Sequence, residues 1–220
     1  LPSLYVFDAY GTLFDTSAAV ARQAADFGEE GRRLADIWRR KQLEYSWVRS
    51  LMKDRSRTFW DLTEDALDFA LAKVPAIDRS MREGLLEAYR DLDTFEEVPS
   101  VLRTLKDQGA RLAILSNGSV AMLERAIRSA KLDTLIDRVF SAEDAGTFKT
   151  APEIYELATT AYRLYPSAVS FQSSNRWDIA GAGRFGFSTV WINRGGEPDE
   201  YRDLPPRAIL PDLTGLPALG

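Results

Sequence analysis

Leu4-Tyr5-Val6-Phe7-Asp8-Ala9-Tyr10-Gly11-Thr12-Leu13-Phe14-Asp15 decides the fold. Its first four residues are a short β-prone apolar run that stops at an acid and a glycine turn. The pattern predicts a buried strand with Asp8 at its carboxyl end. In open α/β sheets ligands bind at that edge.

Downstream of Glu97 the same texture recurs. A helix is predicted over residues 100–108, stopped by Gly109, and a strand over 111–115. Ser116-Asn117-Gly118-Ser119 then leads into a helix ending near residue 129. Strands are predicted at Arg138–Ser141, 168–171 and Ser188–Ile192, separated by helices at 151–162 and 177–184. Strands alternating with helices predict an α/β fold with a doubly wound parallel sheet. The tail from Arg194 is rich in Gly and Pro and is expected to carry little regular structure.

Between the first strand and this region, residues 16–93 read as helical. Leu34, Ile37, Trp38, Tyr45 and Val48 recur at helical spacing. So do Phe59, Leu62, Ala66 and Phe69, and then Met81, Leu85 and Tyr89, with Pro75 breaking the run. About four helices are expected, with Trp38, Trp47 and Trp60 as packing residues. The predicted organisation is a catalytic core of residues 1–15 and 94–220 with a helical cap, 16–93, inserted after the first strand.

Composition narrows the chemistry. With 28 Lys and Arg against 33 Asp and Glu the net charge is -5, which argues against a nucleic-acid partner. Zero cysteines and zero histidines exclude disulfides, thiolate metal sites, Ser-His-Asp triads and imidazole bases. No stretch approaches the roughly 18 apolar residues of a membrane span. The opening residues lack the basic and apolar regions of a secretory signal, so a cytoplasmic location is expected.

The predicted strand ends carry Asp8 to Thr12, Ser116 and Asn117, Lys149, and Ser173 to Asp178. A parallel sheet points all carboxyl ends the same way, so these groups converge. A single Asp would be weak evidence, because Asp is common in turns and caps. Acid, hydroxyl, lysine and acid in this order form a specific pattern.

The sequence resembles the haloacid dehalogenase superfamily over nearly its whole length. The motifs are Phe7 to Asp15, Leu115 to Gly118, Lys149 and Ser173 to Asp178. Within the superfamily it is most similar to the L-2-haloacid dehalogenases, through Trp38-Arg39-Arg40-Lys41-Gln42-Leu43-Glu44-Tyr45-Ser46-Trp47. The resemblance implies a Rossmann-like core with a helical cap. It also implies a homodimer, and hydrolysis of short-chain L-2-haloalkanoic acids to 2-hydroxy acids and halide with inversion.

Two positions depart from the phosphatases of the superfamily. These carry a second acid two residues after the nucleophile, which protonates the leaving alkoxide; here it is Tyr10. A halide leaves without a proton. They also hold Mg²⁺ with acids in the fourth motif, where this chain has Ser173-Ser174-Asn175 and a single acid, Asp178. A hard dication wants several charged oxygens, so no metal and no cofactor are expected.

The resemblance makes Asp8 the nucleophile, forming an aspartyl ester, with Lys149 holding it in its charged form. Asp178, oriented by Ser173 and Asn175, is the candidate base for the hydrolytic water, and Thr12 and Tyr155 support the cluster. The substrate carboxylate is expected to meet the Ser116 hydroxyl and the N–H groups of Ala9 and Tyr10, aided by the dipole of the following helix. Arg39, Asn117 and the Trp177 ring would receive the halide, and Tyr10, Gln42, Leu43 and Phe59 would line the pocket. Three other reactions fit the scaffold: defluorination of fluoroacetate-like acids, C–N ring opening of the azetidine-2-carboxylate type, and Mg-dependent phosphatase chemistry.

Overall fold

The computed structural model describes residues 2, 4–16, 23 and 27–219. In chain order the elements are β1 (Leu4–Phe7), α1 (Gly28–Met52), α2 (Phe59–Lys73), α3 (Arg82–Arg90), α4 (Val98–Asp107), β2 (Arg111–Ser116) and α5 (Val120–Ser129). Then follow β3 (Arg138–Ser141), the one-turn α6 (Ala142–Ala145), α7 (Pro152–Tyr162), β4 (Val169–Ser173), α8 (Arg176–Phe185), β5 (Ser188–Ile192) and β6 (Ala208–Leu210).

The six strands form one parallel sheet in the order β3-β2-β1-β4-β5-β6. Chain direction across the sheet reverses at β1, and a crevice opens at the carboxyl ends there. Phe7 is level with Ile114 on one side and Gln172 on the other. Asp8, one residue further, is therefore brought beside the end of β4, where Ser173 begins the fourth motif.

Strand alternation explains the two layers of helices. Tyr5, Phe7, Leu112 and Ile114 bury against α4 and α5, through Val98, Leu102, Leu123 and Ala126. Leu4, Val6, Ala113 and Leu115 bury against α7 and α8 on the opposite face, through Ile154, Tyr155, Ile179 and Ala182. Both faces are covered, as a parallel sheet requires.

Three α-helices, α1 to α3, lie between β1 and α4 among the described residues. Of the roughly four helices expected within residues 16–93, any that precedes Phe27 falls largely outside the described residues. Trp38 and Leu34 of α1 meet Ala66, Leu67 and Ala70 of α2 in one buried cluster. The α2 start is fixed by a capping box in which Thr58 and Asp61 satisfy each other's backbone N–H groups. The two chain crossings run side by side: Phe14 pairs antiparallel with Thr94, Asp15 N–H donates to Asp93 O at 2.9 Å, and Phe95 N–H donates to Leu13 O at 3.1 Å. The architecture is an α/β, Rossmann-like doubly wound sheet with a helical cap.

The tail departs from expectation. Ala208–Leu210 forms the edge strand β6, in register with Val190 to Ile192. A 3₁₀ turn at Leu213–Ala218 then buries Leu213 and Leu216 against α4. Three strand residues behind Pro205-Pro206 are too few for a periodicity signal; pairing with β5 makes them a strand. Among the described residues no helix is long and apolar enough to cross a membrane.

Candidate active site

Asp8 leaves the sheet at the end of β1, and the chain turns sharply through Gly11, whose φ of 80° favours glycine. The turn's hydrogen bonds are donated by Gly11, Thr12, Leu13 and Phe14 to carbonyls of Phe14 and Ala9. The N–H groups of Ala9 and Tyr10 take no part in them. This turn is not a helix; the helix that follows Ser116, α5, starts at Val120 with Ser119 as its cap. The nearest helix start in sequence to the Asp8 ligands is that of α8, directly after Asn175.

One Asp8 oxygen is anchored. Oδ2 accepts from the Thr12 hydroxyl at 3.1 Å, the Ser173 hydroxyl at 3.2 Å and the Asn175 side-chain amide at 2.8 Å. Oδ1 accepts from Lys149 Nζ alone among the described residues, at 3.0 Å. The same ammonium donates to Asp178 Oδ2 at 2.7 Å, and Tyr155 OH donates to Asp178 Oδ1 at 2.8 Å. Asp8 is 6% exposed, Lys149 1% and Asp178 0%, so these charges interact with little water between them.

Burial sets the titration of the cluster. It pushes the Asp178 carboxyl up to about 6; the Lys149 ammonium opposes that shift and the Asp8 charge adds to it. Burial pulls the Lys149 ammonium down, but Asp178 and Asp8 together outweigh it, and the net direction is upward. Burial also drives the phenols of Tyr10 and Tyr155 well above their ordinary value.

The structure thus joins Asp8, Thr12, Lys149, Tyr155, Ser173, Asn175 and Asp178, and corrects one expected pairing. Ser173 and Asn175 hold Asp8, not Asp178. They lie at the end of β4, level with Asp8, whereas Asp178 sits in the first turn of α8 and meets Lys149 and Tyr155. Ser174 contributes its backbone N–H, donated to Thr12 Oγ1 at 2.9 Å.

Other expected residues surround this cluster. Gly118 N–H donates to Ser116 Oγ at 3.2 Å, which leaves the hydroxyl hydrogen free to meet an anion. Lys149 N–H donates to Asn117 Oδ1 at 2.9 Å. Tyr10 stacks on Tyr89 with ring centres 5.4 Å apart and passes so close to Gly118 that a Cβ there would fall 2.8 Å from the ring. Trp177 meets Trp47 edge-on at 5.5 Å, while Leu43 of α1 is half-buried. Phe59 is buried against Phe148 at 6.0 Å, in the apolar face between cap and core rather than in the hydrogen-bonded cluster. A cleft of about 1180 Å³ approaches from one side, with Trp47, Lys149 and Trp177 on its wall.

Arg39 reaches in from α1. It donates to Gln42 Oε1 at 2.7 Å and, at 3.5 Å, to Asn175 Oδ1. Gln42 itself donates to Thr63 Oγ1 at 2.7 Å and to Tyr89 OH at 3.1 Å. Sequence patterning does not single out Thr63, and it marks Tyr89 only as a packing residue. A polar residue one position after Leu62 in the buried stripe of α2 was the available signal.

Residues 2–186 match the family model of the haloacid dehalogenase-like hydrolases. The chain is 45% identical over 212 residues to (S)-2-haloacid dehalogenase 4A of Burkholderia cepacia, covering 96% of this chain and 91% of that one. It is 44% identical to (S)-2-haloacid dehalogenase 1 of Pseudomonas sp. (strain CBS-3), covering 97% and 94%. Among solved structures, the L-2-haloacid dehalogenase of Xanthobacter autotrophicus with chloropropionic acid covalently bound superposes with a TM-score of 0.87 at 31% identity, covering 100% of this chain and 98% of that one. Matched almost end to end by these relatives, and by a family model across both the Asp8 and the Lys149 motifs, the chain belongs to the haloacid dehalogenase-like hydrolases, in the (S)-2-haloacid dehalogenase family.

Proposed function

We propose that the protein hydrolyses short-chain L-2-haloalkanoic acids to 2-hydroxy acids with inversion, through an ester formed on Asp8 and without a metal ion. The observation that carries this reading is the asymmetry of Asp8. Among the described residues three donors anchor Oδ2, while Oδ1 has one partner and lone-pair capacity left. The relatives named (S)-2-haloacid dehalogenase, and the covalently bound chloropropionic acid in the Xanthobacter autotrophicus structure, support it.

In the first step Oδ1 attacks the substrate α-carbon from the side opposite the halogen. The C–halogen bond breaks, and halide departs with the bonding pair. Ser116 and the N–H groups of Ala9 and Tyr10 bind the substrate carboxylate. Arg39, Asn117 and Trp177 receive the halide. In the second step water adds to Cγ of Asp8 and one of its protons passes to Asp178. The Cγ–Oδ1 bond then breaks, Asp178 returns that proton to the leaving Oδ1, and the regenerated Asp8 carboxyl gives up the other proton. The hydroxy acid leaves carrying the former Oδ1.

Magnesium does not suit this donor set. In the fourth motif Ser173 and Asn175 offer neutral groups, both donating to Asp8 Oδ2, and Asp178 is the single acid there. Tyr10, a buried phenol with a raised pKa, is a poor acid for a leaving alkoxide or amine. Both points weigh against phosphatase and ring-opening chemistry. Helices within residues 16–93 serve as the cap over a core of 1–15 and 94–220. A homodimer fits the apolar Trp47, Leu51 and Met52 exposed near the end of α1. The location is cytoplasmic.

Halide release from L- and D-2-chloropropionate in EDTA tests the reading. Chloride from the L-isomer only, at the same rate with EDTA or added Mg²⁺, is expected. Chloride-free incubations of both isomers, or turnover that needs Mg²⁺, would refute it.

The rate should rise with pH through about 6 as Asp178 ionises. The sign for stability is opposite. A carboxyl raised from 3.8 stabilises the fold most below its unfolded value, and that contribution is lost as pH climbs through about 6. Tyr155→Phe deletes a hydrogen bond that lowers the Asp178 pKa, so the acid limb should move to higher pH. A pH–rate profile unchanged by Tyr155→Phe would remove Asp178 from the limb.

A further inference from the structure

We infer that Thr63 and Tyr89 are positioning residues for the halide-binding arginine, acting through the side-chain amide of Gln42; this rests on the dehalogenase reading above. Thr63 is 0% exposed, Gln42 1% and Tyr89 5%, so solvent cannot replace the hydrogen bonds among them.

The polarity of the chain is set from its far end. The Phe59 carbonyl of α2 can only accept, and the Thr63 hydroxyl donates to it at 2.7 Å. A Thr63 lone pair is then left facing Gln42, and it accepts from Nε2 at 2.7 Å. The second N–H of that amide goes to Tyr89 OH at 3.1 Å. With both N–H groups committed, Oε1 faces Arg39, a pure donor, and accepts from it at 2.7 Å, while Tyr89 OH lies 3.4 Å from the same oxygen. The other end of the guanidinium reaches Asn175 Oδ1 at 3.5 Å, and Asn175 donates to Asp8 Oδ2 at 2.8 Å. A directed chain therefore runs from a helix carbonyl in the cap to the carboxylate of the core.

Packing holds the intermediate members. The Tyr89 ring stacks on Tyr10 at 5.4 Å and tilts against Trp38 at 5.3 Å. Trp38 Nε1 donates to Thr63 O at 2.8 Å, tying α1 to α2 at the same level. Thr63→Val keeps the shape but removes the acceptor. The Gln42 amide can then rotate and present N–H to the guanidinium, which displaces Arg39 from the leaving halide.

Chloride is a poorer leaving group than bromide and depends more on the guanidinium. The experiment compares single-turnover rates on L-2-chloropropionate and L-2-bromopropionate, together with Tm, for wild type, Thr63→Val, Thr63→Ser, Tyr89→Phe and a reference Arg39→Gln. Thr63→Val should slow the chloro substrate on the order of tenfold, the effect of one lost buried hydrogen bond. The bromo substrate should slow less and KM should change little. The bromo-to-chloro ratio then rises in the direction set by Arg39→Gln, and Thr63→Ser restores it. If Thr63→Val does not fold, Tyr89→Phe, which keeps the ring stack, must raise the ratio by itself. A wild-type ratio in the folded variants, or equal loss on both substrates with a lowered Tm, overturns the inference. A wild type that releases neither halide overturns the dehalogenase reading and this inference together; an active wild type with unresponsive variants overturns this inference alone.

Discussion

Asp8→Asn is expected to abolish turnover, by on the order of 10⁴-fold or more, while the protein remains folded. The amide is almost the shape of the carboxylate, but its nitrogen is no nucleophile and its oxygen is far weaker than a carboxylate oxygen. Geometry adds to the loss. The Oδ2 site is served by the Thr12 and Ser173 hydroxyls and the Asn175 amide, so the new carbonyl oxygen settles there. The new NH₂ then faces the Lys149 ammonium, which lies 3.0 Å from the present Oδ1.

Stability should not follow activity down. Asp8 and Asp178 are two buried anions sharing one ammonium. Asp8→Asn leaves a neutral pair of Lys149 and Asp178, and removes one of the influences that raise the Asp178 pKa. A Tm at or above that of wild type, with no halide release, is the expected pair of results. A single wild-type turnover in ¹⁸O-water supplies the complementary check. The product should be unlabelled, because its hydroxyl oxygen comes from Asp8, and label should enter only from the second turnover. Labelled product in the first turnover would mean that water attacks the substrate directly and that no ester forms.

Asp8 and Lys149 are legible in the amino-acid sequence because a parallel sheet converts sequence position into spatial convergence: groups that end successive strands meet at one edge. The alternation of Leu4 and Val6 with Tyr5 and Phe7 likewise shows as two helix-covered faces. Contacts that depend on how elements pack are less legible. Ser173, Asn175 and Asp178 lie within six residues, yet the strand end and the first turn of α8 aim them at different partners. Thr63 and Tyr89 join Gln42 only because α1, α2 and α3 come together, and no single-helix periodicity reports that. β6 has three residues and no pattern of its own; β5 imposes it.

Lys149→Met should cost both stability and activity, and the two losses can be separated. The methionine fills nearly the same space, so the change is one of charge. Removing the ammonium strands Asp8 and Asp178, at 6% and 0% exposure, without a counter-ion. Breaking a buried pair from one side costs about 3–5 kcal/mol, and in a chain of this size Tm should fall on the order of 10 °C. Two such anions cannot both stay ionised. Asp178 is the more enclosed and already titrates at about 6, so it takes the proton. Its folded-state pKa then rises further above the unfolded value, and the stability tied to its protonated form disappears as pH climbs. The Tm deficit should therefore be large at pH 8 and small at pH 5. The double variant Lys149→Met/Asp178→Asn removes the stranded charge along with the ammonium, and should recover much of the Tm at pH 8. It should recover no turnover, because Oδ1 has lost the cation beside it and the hydrolytic water has lost its base. Thermal melts of the single and double variants at the two pH values, with chloride assays alongside, decide the matter. A single variant as stable as wild type at pH 8 would mean that the cluster does not carry the charges assigned to it.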